Sequence, residues 1–184
     1  MTLENQHNLI SAKIDEPKSQ EGQEKKVIRV TRNGIALALK VYLKKHYDTQ
    51  KAINRTFEAT SEFNLYQIAA ADQVLSPYIP EPFDLEYEEG QPVGLLVEWK
   101  EGEPLAYNLD MQIPRQALLD LKQALLSAPP ELWLLDDCFM DYNICWDGQR
   151  IWLAELKLGS YSSEQHWKQT VQGRINQVIN NYCG

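Results

Sequence analysis

Between Trp133 and Gly159 the chain concentrates Asp136, Asp137 and Asp141 ahead of Asn143, then an Asp147-Gly148 turn, then Glu155 flanked by apolar residues. Carboxylates and an amide oxygen are the groups that hold a hard divalent cation, and a carboxylate can also take a proton from a nucleophile. Asp-Gly between two apolar, β-prone segments is a strong hairpin signal, so Asn143 to Trp146 and Arg150 to Glu155 are predicted as paired strands. Each residue also has an ordinary reading: Asn143 can hold a turn through its amide, and the aspartates can be solvated loop acids. Far upstream, Lys40 is embedded in the apolar run Leu39-Lys40-Val41. That setting favours an inward, partnered lysine over the edge-strand lysine that discourages aggregation. Glu58 and Glu62 sit one turn apart in a helical pattern, where solvated surface charge is the usual role.

The elements that must position these groups can be read along the chain. Met1 to about Lys26 is rich in Glu, Gln, Lys, Ser and Asn, and residues 1–26 are expected to form a flexible tail. Val27 to Val30 and Ile35 to Leu43 are joined across Asn33-Gly34, a pair that tolerates positive φ, giving a type I′ hairpin with Lys40 in its second strand. Ala52 to Leu75 carries a helical stripe of Ile53, Phe57, Leu65, Ile68 and Leu75 and stops at Ser76-Pro77. Phe83 to Tyr87 and Val93 to Trp99 are predicted as short strands about an acidic turn. Pro114 opens an amphipathic helix with Leu118, Leu121 and Leu125 that ends at Pro129-Pro130. Ser162 or Ser163 caps a last helix whose Trp167, Val171, Ile175, Val178 and Tyr182 form a packing face.

Composition narrows the partners. With 43% hydrophobic content, 184 residues supply one compact domain or two small lobes. A net charge of −8 and a pI near 4.9 argue against gripping a phosphate backbone. No run approaches the roughly 18 apolar residues of a membrane span, and the N-terminus lacks the apolar core of a signal peptide. Cys138, Cys145 and Cys183 are odd in number and fit neither a disulfide framework nor a metal pair, as expected in a reducing compartment. The chain is therefore expected to be cytoplasmic, with no membrane contact and with nucleic acid disfavoured as a partner.

The order of elements from about Val27 to Gly159 resembles the protein-kinase-like fold, in particular the RIO-type and small-molecule kinases. Ala38-Leu39-Lys40 resembles the strand whose lysine neutralises nucleotide phosphates. Glu62, at the spacing that suits it best, and Glu58 as runner-up resemble the helical glutamate that pairs with that lysine. Gly94-Leu-Leu-Val-Glu98-Trp resembles the fifth strand and hinge, which would hold an adenine. Asp141-Tyr-Asn143 through to Glu155 is similar to the stretch from the metal-binding asparagine to the metal-binding aspartate. The resemblance implies an α+β fold: a small antiparallel sheet with one inserted helix over 27–103, then a reduced, mainly helical part with a short hairpin over 104–184, together one domain. It implies ATP and Mg²⁺ as cofactors and, for a kinase-like binding module, a protein partner; a bacterial source is expected.

The departures from that pattern are specific. The aspartate that accepts the substrate proton stands five residues before the asparagine, and Cys138 occupies that position, with Asp137 beside it as a substitute base if the loop bulges by one residue. Glu155 replaces the aspartate of Asp-Phe-Gly, and Leu156-Lys157 follow it. No Gly-x-Gly-x-x-Gly loop precedes Lys40; only Gly22 lies upstream. Only 29 of the 184 residues follow Glu155, room for one helix. These losses predict a degenerate, pseudokinase-like binding or regulatory module that lacks efficient phosphoryl transfer and binds ATP and Mg²⁺ residually or not at all. The alternative is a weak, atypical phosphotransferase. A further alternative reads Asp141, Glu155 and Lys157 as the Asp…Glu-x-Lys set of restriction-endonuclease-like nucleases, with Gln165, Gln169 and Gln172 on the following helix.

Overall fold

The computed structural model describes residues 20–21, 24–46, 51–107, 110–133, 135–159 and 161–183. Residues 1–19, most of the expected tail, lie outside the described residues, as does Gly22. The first strands begin earlier than expected: β1 is Gln20–Glu21 and β2 is Lys25–Arg32, paired antiparallel through Gln20 opposite Val27 and Glu21 opposite Lys26. Lys25 and Lys26, assigned to the tail from their polarity, are strand residues.

β2 turns through Asn33 and Gly34, both at positive φ, into β3, Ile35–Tyr42. The two-residue turn sets the register, with Arg32 opposite Ile35 and Lys25 opposite Tyr42. β4 (Pro82–Glu88) and β5 (Gln91–Glu98) form a second hairpin, and the sheet order is β1-β2-β3-β5-β4. Gly94 sits opposite Val41, and a Cβ there would stand well inside contact distance of the Lys40 carbonyl oxygen. This close backbone approach fixes the height of Lys40 in the sheet.

α1, Arg55–Ala71, crosses the sheet over β5. Asn54 caps it, its side chain accepting from the Phe57 amide at 3.2 Å. The helix ends before the expected Leu75 because the Asp72 carboxylate takes the amides of Val74 and Leu75 at 2.9 and 2.8 Å. Its buried face is also displaced from the predicted stripe: Phe57 is 56% exposed, whereas Ala59, Glu62, Leu65, Tyr66 and Ala69 face inward. A hydrophobic stripe cannot register a glutamate whose burial is supported by partners on the sheet.

After β5 the chain forms β6 (Glu103–Pro104), α2 (Arg115–Leu126), β7 (Leu135–Asp136), β8 (Ile144–Trp146), β9 (Ile151–Leu153), β10 (Lys157–Leu158) and α3 (Glu164–Tyr182). β6, β8 and β9 form one small sheet and β7 and β10 another. The β8–β9 hairpin is shorter than predicted. Asp147 closes a four-residue loop by accepting from the amides of Gln149 and Arg150 at 2.7 and 2.6 Å, so Arg150 lies in the loop. At the other end the ladder stops when the Ala154 amide donates to the Asn143 carbonyl at 2.8 Å, and Glu155 leaves the strand. α2 and α3 pack through Leu118, Leu121, Leu125, Trp167, Val171 and Ile175. One hydrophobic core runs from Ala38, Leu95 and Val97 of the upper sheet to these helices. Trp167, fully buried with its indole N–H donating to the Leu135 carbonyl at 3.0 Å, is the largest side chain in that core.

Candidate functional site

Alternation along a strand puts Lys25, Val27 and Arg29 of β2 on one face of the sheet, with their β3 partners Tyr42, Lys40 and Ala38. That face looks toward α1 and the β8–β9 hairpin. Glu62 enters it from α1, 2% exposed, and carries the shared negative charge of the site. Lys40 Nζ lies 2.8 Å from its Oε1. Lys25 Nζ lies 2.7 Å from its Oε2, and the Tyr42 hydroxyl donates to Oε2 at 2.6 Å. Burial alone would raise the Glu62 carboxyl; the two ammonium groups outweigh it and hold the carboxyl at about 2.

The lysines differ. Burial depresses both, but Lys25 is carried above its usual value by Glu62 and by Glu155, whose Oε1 lies 2.9 Å from Nζ. Lys40 stays below its usual value, because burial dominates and Lys25 repels it. Its three N–H donors meet Glu62, the Tyr66 hydroxyl at 2.7 Å and the Ala154 carbonyl at 2.6 Å. Tyr66 also donates to the Ala154 carbonyl, at 2.9 Å. The bend before Glu155 is therefore tied to the sheet by a lysine and a tyrosine.

Below it, Asn143 is buried and its Nδ2 donates to the Asp137 carbonyl at 3.0 Å. Asp137 has φ of 59°. The Cys138 amide donates back to the Asp136 carbonyl at 2.7 Å, so Asp137 is the apex of a strained three-residue turn. Burial and then the charge of Asp136 raise its carboxyl. Cys138 is fully buried, and desolvation first, then Asp136 and Asp137, push its thiol well up. Asp136 accepts from the Tyr161 hydroxyl at 2.9 Å.

The structure thus brings Lys40, Glu62 and Glu155 to one cluster, with Asn143 and Asp137 in the loop beneath. Glu58 is not in the pair with Lys40; it borders a cavity of about 80 Å³ lined also by Tyr42, Phe57, Ser61 and Lys157. Glu98 turns its carboxylate to Lys100 at 3.0 Å, and its amide donates to the Glu81 carbonyl at 2.8 Å. The nuclease set takes separate partners: Asp141 accepts from the Tyr182 hydroxyl at 3.1 Å, Glu155 faces Lys25, and Lys157 pairs with Glu24 at 2.6 Å. Among the described residues no group of three or more His, Cys, Asp or Glu side chains is arranged to hold a metal ion.

Lys25, Tyr42 and Tyr66 were not among the expected site residues. A signal for the first was present: counting the pairing back from the two-residue Asn33-Gly34 turn puts Lys25 opposite Tyr42, two positions from Lys40 on the same face. Tyr66 lies one turn after Glu62 on α1.

No protein-family model matches the chain, and no curated protein matches its sequence. Solved structures do match. The Mycobacterium tuberculosis PknI kinase domain is similar with a TM-score of 0.56 at 17% identity, over 89% of this chain and 70% of that one. A double mutant of the same domain gives a TM-score of 0.56 at 17% identity, over 89% and 69%. A thermostable mutant of the aminoglycoside phosphotransferase APH(4)-Ia in its apo form aligns over 88% of this chain and 78% of its own, at 12% identity and a TM-score of 0.46. The fold is α+β and protein-kinase-like, in a reduced form.

Proposed function

We propose that this kinase-like chain is a pseudokinase-like binding or regulatory module that carries out no efficient phosphoryl transfer. The observation that supports this best is Cys138. It stands where the proton-accepting carboxylate of the catalytic loop belongs, and it is fully buried with its thiol held protonated. A buried neutral thiol neither orients a hydroxyl nucleophile nor takes its proton. Lys40, Glu62, Asn143 and Glu155 form the residual nucleotide-type site, now serving the packing of sheet, helix and hairpin. Release of labelled phosphate from ATP, with and without generic protein substrates, should match the buffer rate.

A second reading, an atypical phosphotransferase with Asp137 as base, is favoured by one feature. The three-residue turn at Asp137 supplies the extra bend such a substitution needs, and its carboxyl is raised toward the range of a general base. ATP turnover in the wild type that disappears in Asp137→Asn would establish this reading and sink the first.

The proposed ligand of the module is a protein, met in the bacterial cytoplasm. The acidic charge disfavours nucleic acid, and no helix among the described residues is long and apolar enough to cross a membrane. Phe57 on α1 and Phe83 and Tyr87 on β4 are exposed aromatics of the kind that anchor protein contacts. Purification from the native host as a monomer without a stoichiometric companion would contradict it.

A further inference from the structure

Enzymes of this fold hold a divalent cation between nucleotide phosphates and the carboxylate corresponding to Glu155, and meet those phosphates with the lysine corresponding to Lys40. The groups here do not fit that arrangement. Lys25 Nζ stands 2.7 Å from Glu62 Oε2 and 2.9 Å from Glu155 Oε1, so one ammonium bridges the carboxylate of α1 and the carboxylate after β9. Its third donor meets the Tyr42 hydroxyl at 3.4 Å. Lys25 is 7% exposed, so its charge is committed to the interior. The donors of Lys40 are likewise engaged within the protein, leaving none directed to a phosphate. Gly22 is the one glycine in the sequence before Lys25, so no Gly-x-Gly-x-x-Gly cover precedes β2. Where that cover would end, the chain delivers the side chain of Lys25.

Two ammonium groups and two carboxylates sum to zero. A divalent ion added beside Lys25 would place like charges together in a water-poor site, where such repulsion is strong.

We propose that Lys25 is an internal cation standing in place of the divalent metal, making the cleft charge-complete without metal or nucleotide. The inference rests on the reading of the chain as a module without phosphoryl transfer and adds what keeps the residual site closed. Arg29, four residues further along the same strand face, continues the pattern toward the hinge. Its guanidinium lies 3.5 Å from Glu101 and 5.4 Å from the Trp99 ring centre.

The test is Mn²⁺ binding by electron paramagnetic resonance, with thermal melting in millimolar Mn²⁺ or Mg²⁺·ATP, on wild type, Lys25→Met and the Lys25→Met/Glu155→Gln double variant. The wild type should bind Mn²⁺ weakly and melt at an unchanged temperature. Lys25→Met should bind Mn²⁺ at least about tenfold more tightly, the factor that corresponds to one unit of electrostatic shift. The double variant should lose that gain. If Lys25→Met folds poorly, Mn²⁺ should restore its melting transition, since a ligand of the folded state stabilises it. Equal Mn²⁺ affinity in wild type and Lys25→Met, or a Lys25→Met protein that Mn²⁺ neither binds nor rescues, overturns the inference and leaves the functional reading standing. ATP turnover by the wild type overturns the functional reading itself.

Discussion

Lys25 holds one oxygen of Glu62 at 2.7 Å while the other stays with Lys40. A carboxylate shared in this way costs desolvation on every partner, and the mutual attraction and hydrogen bonds offset it only while all partners remain. The cluster is thus a fragile source of stability and a strong source of specificity in how sheet, helix and hairpin meet.

Glu62→Ala takes the carboxylate from the buried Lys40 ammonium and leaves Lys25 with Glu155 alone. Breaking a buried pair costs about 3–5 kcal/mol, which for a chain of this size lowers the melting temperature by about 10 °C. Thermal unfolding followed by circular dichroism measures it; a change within about 2 °C would mean the ion pairs contribute little.

The same carboxylate sets an acid limb. Its folded value, about 2, lies below its usual 4.5, so the unfolded chain binds more protons between those values. The stability Glu62 contributes is complete above about pH 4.5 and is lost as pH falls toward 2. Urea midpoints from pH 6 downward should drop through this window, and the drop should be shallower in Glu62→Gln.

Much of the fold is legible in the sequence. The Asn33-Gly34 turn, the Pro114 helix start and the Ser163 cap are local signals, and local chemistry decides them. The apolar run Leu39-Lys40-Val41 also marked Lys40 as an inward lysine. Lys25 was harder to read, because a lysine in a Glu-Gln-Lys run carries the composition of a tail, and only its distant partners, Glu62 and Glu155, give it a reason to be buried. The stripe on α1 misled for the same reason. Phe57 satisfied the period and stays outside, while Glu62 broke the polarity pattern and lies within.

Cys138→Asp restores the residue type of the catalytic loop but not its surroundings. A carboxyl at this fully buried site would face Asp136 and Asp137 and, among the described residues, meet no lysine like those around Glu62, so destabilisation of about 3 kcal/mol with no gain in ATP turnover is expected. Turnover appearing in this variant would show that the loop can present the side chain to the cleft.

Gly94→Ala tests how the sheet fixes Lys40. The added methyl meets the Lys40 carbonyl, a backbone atom that cannot swing aside. β3 and β5 must separate, with a loss of about 2–4 kcal/mol, in the range of strongly disruptive single substitutions. A fall of less than about 1 kcal/mol in urea unfolding would indicate that the strands can slide apart freely.

Asn143→Ala removes the donor to the Asp137 carbonyl. That carbonyl keeps the Met140 amide at 2.9 Å, so the loss of one of its two donors costs about 0.5–1.5 kcal/mol, and amide exchange should quicken at Cys138 and Met140, whose own amides close the same turns. Unchanged exchange there would separate the amide from the loop's geometry.

The connector between the two halves is pinned on both sides. The Trp152 indole donates to the Glu101 carbonyl at 3.0 Å, Glu103 pairs with Trp146, and Gly102 lies against the Trp146 carbonyl, leaving no room for a side chain. A turnover cycle that admits one molecule and releases another needs its jaws to swing about such a connector. Here a swing would strip three contacts at once, so the geometry suits a surface presented in one fixed pose, as a bracket is, more than a mouth that opens and shuts.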